Sequence, residues 1–164
     1  ELGANPYVTN CLGTGSLHWA AKKGDIRCVH TLLEFGVKVD APNNKMVTPL
    51  MYAADCIPSD GSNVPVMRAL IDAGADVRAL DEDMSSPLMY AAHSGSEENI
   101  RLLLSRGADA CAANDFGTTP IMYAAYYGHL KALVAFLRHD PSLRLAKDKR
   151  GMAVRDWAGQ AKQE

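Results

Sequence analysis

Apolar residues recur at spacings of three and four positions in four stretches of the chain. This spacing is typical of amphipathic α-helices, because it places the apolar side chains on one face. We therefore predict four helices, each with one buried stripe. Gly36, Gly74 and Gly107 follow three of these stretches, where glycine supplies the left-handed conformation that ends a helix. The stripes consist of Ile26, Val29, Leu32 and Leu33; Met67, Leu70 and Ile71; Ile100, Leu103 and Leu104; and Leu130, Leu133, Phe136 and Leu137.

A second motif precedes each stretch and ends in an aromatic residue followed by an Ala-Ala pair. It occupies residues 16–21, 49–54, 87–92 and 120–125, with a degenerate fifth copy at 153–158, so the successive offsets are 33, 38, 33 and 33 residues. Three copies open with proline after Thr or Ser, which is typical of a helix start. The motif therefore predicts a first, shorter helix before each amphipathic one.

This pattern resembles the ankyrin repeat, whose opening T-P-L-H-x-A-A and ending G-A-D are matched by Thr48-Pro49-Leu50 and Gly74-Ala75-Asp76, among others. The resemblance covers nearly the whole chain. It implies an all-α ankyrin repeat solenoid with four helix pairs, β-hairpin fingers between copies and partial repeats at both ends. We expect one domain over residues 1–164: a repeat tail and finger at 1–14, repeats at 15–47, 48–85, 86–118 and 119–151, and a partial or capping repeat at 152–164.

Two kinds of position depart from the family pattern. In three copies methionine replaces the usual histidine of the opening motif, and it should fill apolar space without the histidine's hydrogen bond. Met46 and Met84 replace the finger glycine that Gly13 and Gly117 provide, which predicts a different turn at those two tips. The methionines of the opening motif are Met51, Met89 and Met122.

The offset of 38 residues reflects a five-residue insertion at residues 57–61. Surface drift and a partner contact are both open interpretations of this polar loop. The repeat pattern is incomplete at both ends, so we expect a segment of a longer repeat protein. A natural polar cap at residues 152–164 is the alternative.

Composition and charge narrow the function classes. The chain has 164 residues, of which 48% are hydrophobic and 22% charged, as in one folded domain. A net charge of -2 provides no basic surface for nucleic acid, and no apolar run approaches the roughly 18 residues of a membrane span. The four cysteines form no Cys-x-x-Cys pair, so we expect a cytoplasmic or nuclear protein, monomeric as a segment.

No residue pattern indicates catalysis. Gly13-Thr14-Gly15 begins like a dinucleotide-binding loop, but the third glycine and the β-α-β unit are missing. The five histidines lie in different copies and form no metal-binding motif. We therefore expect no enzymatic activity, no cofactor and no metal site.

The resemblance implies recognition of a protein or extended peptide on a concave face formed by the fingers and the first helices. Four copies carry an aromatic residue just before Ala-Ala, and this ladder either packs between repeats or contacts a partner. The positions after Ala-Ala and the finger tips are further candidates. The ladder comprises Trp19, Tyr52, Tyr90 and Tyr123; the positions after Ala-Ala supply Lys22, Lys23, Asp55, His93, Tyr126 and Tyr127; the tips supply Leu12, Lys45, Glu82, Asp83, Asp115 and Phe116.

Charge is graded along this face, with lysines in the early copies and carboxylates in the later ones. The grading favours a partner whose acidic part faces the early repeats and whose basic part faces the later ones. An ordinary solvated surface is the alternative. Tyr90, Glu82, Asp83 and Tyr123 also suggest a minor alternative, a cage for methylated lysine. A further alternative is that the chain docks onto or regulates the enzyme or channel domain of a larger protein.

Overall fold

The computed structural model describes residues 5–56 and 63–160, and within them the backbone is helical with irregular connections. The insertion predicted at residues 57–61 lies outside the described residues. The helices are α1 (Ser16–Lys23), α2 (Ile26–Glu34), α3 (Pro49–Ala54), α4 (Val64–Asp72), α5 (Pro87–Ser94), α6 (Glu97–Ser105), α7 (Pro120–Tyr126), α8 (Leu130–His139), a 3-10 helix (Pro141–Leu145) and α9 (Val154–Gln160).

The helices form two layers. The first helices of the copies, α1, α3, α5, α7 and α9, pack against one another in sequence order, and the second helices, α2, α4, α6 and α8, form the other layer. Ala53, Ala54, Ala91 and Ala92 are fully buried between neighbouring first helices, where a small side chain lets the backbones approach. The core is therefore one continuous strip between the layers, as in an ankyrin solenoid. No described helix has both the length and the apolar character that crossing a membrane demands.

The helix boundaries follow the predicted signals. Pro49, Pro87 and Pro120 each occupy the first helical position, and Thr48, Ser86 and Thr119 precede them as extended N-cap residues. Gly36, Gly74 and Gly107 all have positive φ angles, between 78° and 97°, which confirms the predicted left-handed helix ends.

The fingers, defined here as the turns that directly precede the first helix of each copy, are tight and stacked. In the second finger the backbone N–H of Asn43 donates to the carbonyl of Val47 at 3.0 Å. The second, third and fourth fingers also bond to the finger before them: the N–H of Asn44 donates to the carbonyl of Leu12, that of Glu82 to Lys45 and that of Asp115 to Asp83, at 3.0 to 3.1 Å. Among the described residues the only strand-like pairings are the isolated bridges Thr9–Gly15 and Lys147–Ala153. Regular β-hairpins are thus not confirmed.

The prediction that the methionine tips adopt a different turn is wrong. Met46 and Met84 have φ angles of 59° and 61°, close to the 73° of Gly13 and the 78° of Gly117. The two methionines therefore keep the glycine conformation of this turn, although the Cβ atom makes it unfavourable by about 1–2 kcal/mol. The hydrogen bonds within and between fingers hold the backbone in place.

The offset predicted for the last copy is also wrong by one residue. Helix α9 begins at Val154 and α7 begins at Pro120, so the structural offset is 34 residues. Gly151 has a positive φ angle like Gly117, which gives the same offset. As a result Trp157, rather than Asp156, lies at the ladder position of the fifth copy.

Candidate functional site

The ladder residues lie on the first helices beside the fingers. Trp19 keeps 46% of its surface exposed, whereas Tyr52, Tyr90 and Tyr123 are half-buried. Contacts with neighbouring rings cover part of the Tyr52 side chain. The ring of Tyr52 meets those of His18 and Trp19 edge-on, with centroids 5.3 and 6.2 Å apart. The ladder thus packs against the repeats and also presents surface outward.

Two ladder tyrosines each form a hydrogen bond with the finger that directly precedes their helix, one as donor and the other as acceptor. The hydroxyl of Tyr90 donates to Oδ2 of Asp81 at 2.7 Å, while the hydroxyl of Tyr123 accepts from Nδ2 of Asn114 at 3.2 Å. Burial, reinforced by the hydrogen bond to Asp81, raises the pKa of Tyr90 well above its usual range. Burial also raises the pKa of Tyr123. Both phenols therefore stay neutral at physiological pH.

Two neighbouring cavities open beside these tyrosines, and together we call them the groove. The acidic cavity, of about 220 Å³, is lined by Asp55, Asp81, Asp83, Tyr90, His93 and Tyr123, with Ser85 and Met89 completing it. The lysine cavity, of about 260 Å³, is lined by Leu12, Lys22, Lys45, Val47 and Tyr52, together with Asn43 and Asn44. Asp55 and Tyr90 line both cavities.

The groove brings together more than half of the predicted site residues. Nine of them line one or both cavities: Leu12, Lys22, Lys45, Tyr52, Asp55, Asp83, Tyr90, His93 and Tyr123. The other seven lie outside the two linings: Trp19, Lys23, Glu82, Asp115, Phe116, Tyr126 and Tyr127.

A salt bridge and a histidine–carboxylate hydrogen bond link polar side chains at the groove. Nζ of Lys45 lies 3.0 Å from Oε1 of Glu82, which joins two successive fingers. Nδ1 of His93 lies 2.7 Å from Oδ1 of Asp55, which joins two successive first helices. Nζ of Lys22 lies 5.7 Å from the ring centroid of Tyr52, within the range of a cation–π contact.

An aromatic cluster continues from the groove toward the last copy. The ring of Tyr127 meets His93 edge-on at 4.6 Å and Tyr126 at 5.0 Å, and Tyr126 meets Trp157 at 6.0 Å. Tyr127 is 45% exposed, while Tyr126 is half-buried. Tyr126 therefore joins neighbouring copies in addition to any partner contact.

The remaining tip residues are exposed but separate from the cavities. Phe116 keeps 67% of its surface in solvent. Asp115 is held through its backbone, since its carbonyl accepts a hydrogen bond from Nζ of Lys149. Lys23 is an exposed residue at the end of α1.

The sequence pattern did not single out two residues of this surface, Asp81 and Trp157. Asp81 lies where three other fingers carry asparagine, so an alignment of the finger residues would have marked it. Trp157 was missed because the last copy was aligned with an offset of 33. An alignment on Gly117 and Gly151 would have placed it in the ladder.

The side chains of His18 and His129 contact backbone carbonyls and have structural roles. Nε2 of His18 lies 3.1 Å from the carbonyl oxygen of Val47, and Nε2 of His129 lies 2.9 Å from that of His93. In the part of the chain that the structure describes, no three His, Cys, Asp or Glu side chains converge as metal ligands.

Comparison with known proteins agrees with this architecture. A family model described as "Ankyrin repeats (3 copies)" matches the chain twice, over residues 2–81 and 56–147. No curated protein sequence matches it. Since the two matches together cover most of the sequence, and the described helices form the expected two layers, the chain belongs to the ankyrin repeat family.

Proposed function

We propose that this chain is a non-catalytic recognition module that binds a protein or an extended peptide in the groove. Ankyrin repeats generally serve as protein–protein interaction modules, and their stacked copies provide extended binding surfaces. The observation that carries the proposal is the continuity of the two cavities, which share Asp55 and Tyr90. A segment lying along the fingers can therefore fill both cavities in succession.

The charges of the groove set the polarity of this partner. Lys22 and Lys45 line one cavity, and Asp55 and Asp83 line the other. The salt bridge with Glu82 offsets the charge of Lys45, so Lys22 contributes most at that end. We expect a partner segment with an acidic residue near Lys22 and a basic residue near Asp83, because complementary charges favour one orientation.

Exposed aromatic residues extend the surface on both sides of the groove. Trp19 lies on α1, whose Lys22 lines one end of the groove, and Tyr127 and Phe116 lie beyond the other end. Each of the three has 45% or more of its surface exposed. Large aromatic side chains commonly anchor protein interfaces because they bury much area. We assign them to contacts that flank the groove.

The proposal is tested by selecting binders from a random peptide library displayed on phage. The selected peptides are then measured against two double variants whose folding is checked by circular dichroism. Tyr52→Ser with Asp55→Ala alters the groove. Leu130→Ser with Leu137→Ser alters two positions of α8 in the other layer, which were predicted in a buried stripe but are 71% and 36% exposed. We expect the groove variant to weaken binding by at least about tenfold, and the α8 variant to bind like the parent.

Two results would reject the groove. Peptides that lose affinity only for the α8 variant, or equally for both variants, would place recognition on another face. A library that yields no binder to the folded parent would contradict recognition of extended peptides.

A further inference from the structure

The acidic cavity has the dimensions and lining of a receptor for a single cationic side chain. Its volume of about 220 Å³ is below the roughly 300–1,000 Å³ of pockets for drug-sized ligands. It combines the carboxylates of Asp55, Asp81 and Asp83 with the rings of Tyr90 and Tyr123. Negative charge beside aromatic surface attracts organic cations.

The buried carboxylate of Asp81 is not required by the turn in which it lies. Its Oδ1 accepts the N–H groups of Asp83 and Ser85, at 2.9 and 2.7 Å. Asn43 and Asn114 accept the equivalent pairs of N–H groups with a neutral amide oxygen. Because Asp81 is only 8% exposed, its charge is costly to bury without a counter-ion. The charge therefore points to a function beyond the turn.

The last finger shows how such a carboxylate is neutralised within the chain. Asp148 occupies the equivalent position, accepting the N–H groups of Arg150 and Met152. There Nε of Arg150 lies 3.4 Å from Oδ2 of Asp148. Two residues after Asp81 the chain carries Asp83 in place of an arginine. The third finger thus has a second carboxylate at the position that supplies the cation in the last finger.

Two basic side chains at the groove are already engaged with other carboxylates. Lys45 bonds to Glu82, and His93 bonds to Asp55. Among residues 5–56 and 63–160, neither Asp81 nor Asp83 forms an ion pair. Nor do the acidic and histidine side chains of the described residues converge as metal ligands. The missing counter-ion is therefore best supplied by a partner side chain.

We propose that the acidic cavity binds the guanidinium group of an arginine in the partner segment, an assignment that rests on the proposed function of the groove. Guanidinium presents five N–H donors in a plane, so it can bond to several carboxylates while stacking on a tyrosine ring. Lysine offers a compact charge that cannot stack in this way. The hydroxyl of Tyr90 donates to Asp81, which leaves its oxygen lone pairs for the guanidinium.

The neighbouring lysine cavity adds a preference next to this arginine. Leu12, Val47 and the ring of Tyr52 give it apolar surface. A partner segment that places arginine in the acidic cavity therefore places an adjacent residue against these groups. We expect an apolar residue at that position of the partner, beside the acidic residue expected near Lys22.

The assignment is tested with four pools of acetylated hexapeptides that have randomised flanks and a fixed central residue. The central residue is arginine, citrulline, lysine or trimethyllysine, and binding to the whole chain is measured by fluorescence polarisation. Citrulline is the matched control, because it has the shape of arginine without its charge. We expect the arginine pool to bind about tenfold to a hundredfold more tightly than the citrulline pool.

Variants of the chain then locate the interaction. Asp81→Asn should weaken binding of the arginine pool to the level of the citrulline pool. It should preserve the turn, because asparagine forms the same turn in other fingers. Asp83→Asn is a second variant, which removes a carboxylate from the cavity lining and keeps the backbone N–H that donates to Asp81. Asp109→Asn is the control, because it removes one exposed charge of a similar turn away from the groove, and it should leave binding unchanged.

Other outcomes would overturn the assignment. Equal binding of the arginine and citrulline pools would exclude a guanidinium site, and tighter binding of the lysine or trimethyllysine pool would replace arginine with that cation. Equal losses of affinity for the arginine pool in Asp81→Asn and Asp109→Asn would show that the net charge of the chain, rather than the acidic cavity, causes the effect. If phage-selected peptides depend on Tyr52 and Asp55 but not on arginine or Asp81, the arginine assignment fails while the proposed function stands.

Discussion

The sulfur of Met51 lies 3.4 Å from the backbone nitrogen of Thr48, where it takes the place of a histidine nitrogen. In the first copy, Nδ1 of His18 accepts the N–H of Gly15 at 3.2 Å in the same geometry. Met122 repeats the methionine contact with Thr119 at 3.5 Å. The expectation that methionine loses this hydrogen bond is therefore wrong for Met51 and Met122, because the thioether sulfur is a weak acceptor.

This equivalence predicts that His18 makes the stability of the chain depend on pH and that His18→Met removes that dependence. Burial lowers the pKa of His18, against the opposing effect of its hydrogen bond to Val47. The unfolded chain then binds the proton more readily than the folded chain. The stabilisation by neutral His18 is complete above its unfolded pKa of about 6.5 and is lost as the pH falls below it, by at most about 1.4 kcal/mol per pH unit.

Urea unfolding at pH 7.5 and pH 5.5 checks this prediction. The parent should lose more free energy of unfolding between these pH values than His18→Met does. His30→Met is the control, because His30 is exposed on α2, and it should behave like the parent. Identical pH dependence in the parent and His18→Met would contradict a role for His18.

The helices and their two layers could be predicted from the sequence alone. Proline, the capping residues, Ala-Ala and the terminal glycines each act within one turn of chain, so their effects are visible in a repeating motif. Tyr90 and Tyr123 were identified in the same way, because the ladder position is fixed relative to Ala-Ala. These features depend on local geometry that every copy shares.

The contacts between fingers were not predictable in this way. The salt bridge from Lys45 to Glu82 and the burial of Asp81 depend on how one finger stacks on the next. Met46 illustrates the same limit, because intrinsic preference opposes its left-handed conformation while the hydrogen bonds between fingers impose it. The groove depends on residues that differ between copies. A search for repeated residues does not detect them.

Replacing Met46 or Met84 by glycine should stabilise the protein. Glycine adopts the observed positive φ angles without a steric penalty, and both methionine side chains are largely exposed, so little buried area is lost. The gain is reduced by the larger entropy of glycine in the unfolded chain. We expect a net gain of about 0.5–1 kcal/mol per substitution, measured as a rise in the urea midpoint.

Met46→Ala separates the two contributions to this effect. Alanine removes the long side chain but keeps the Cβ atom that disfavours the left-handed conformation. It should therefore be no more stable than the parent. A gain as large as that of Met46→Gly would show that the side chain, rather than the backbone conformation, causes the strain.

Asn63 should contribute more to the stability of the stack than an exposed asparagine with a similar hydrogen bond. Its Nδ2 donates to the carbonyls of Ala21 at 2.8 Å and Ala53 at 3.0 Å, and the residue is 1% exposed. Because these bonds join two copies in a buried position, we expect Asn63→Ala to lower the free energy of unfolding by about 1–3 kcal/mol. Asn44 also links two copies, donating Nδ2 to the carbonyl of Cys11 at 3.1 Å, but it is exposed. Asn44→Ala should change the free energy by less than about 0.5 kcal/mol, and equal losses in urea unfolding would show that burial does not set the strength of these contacts.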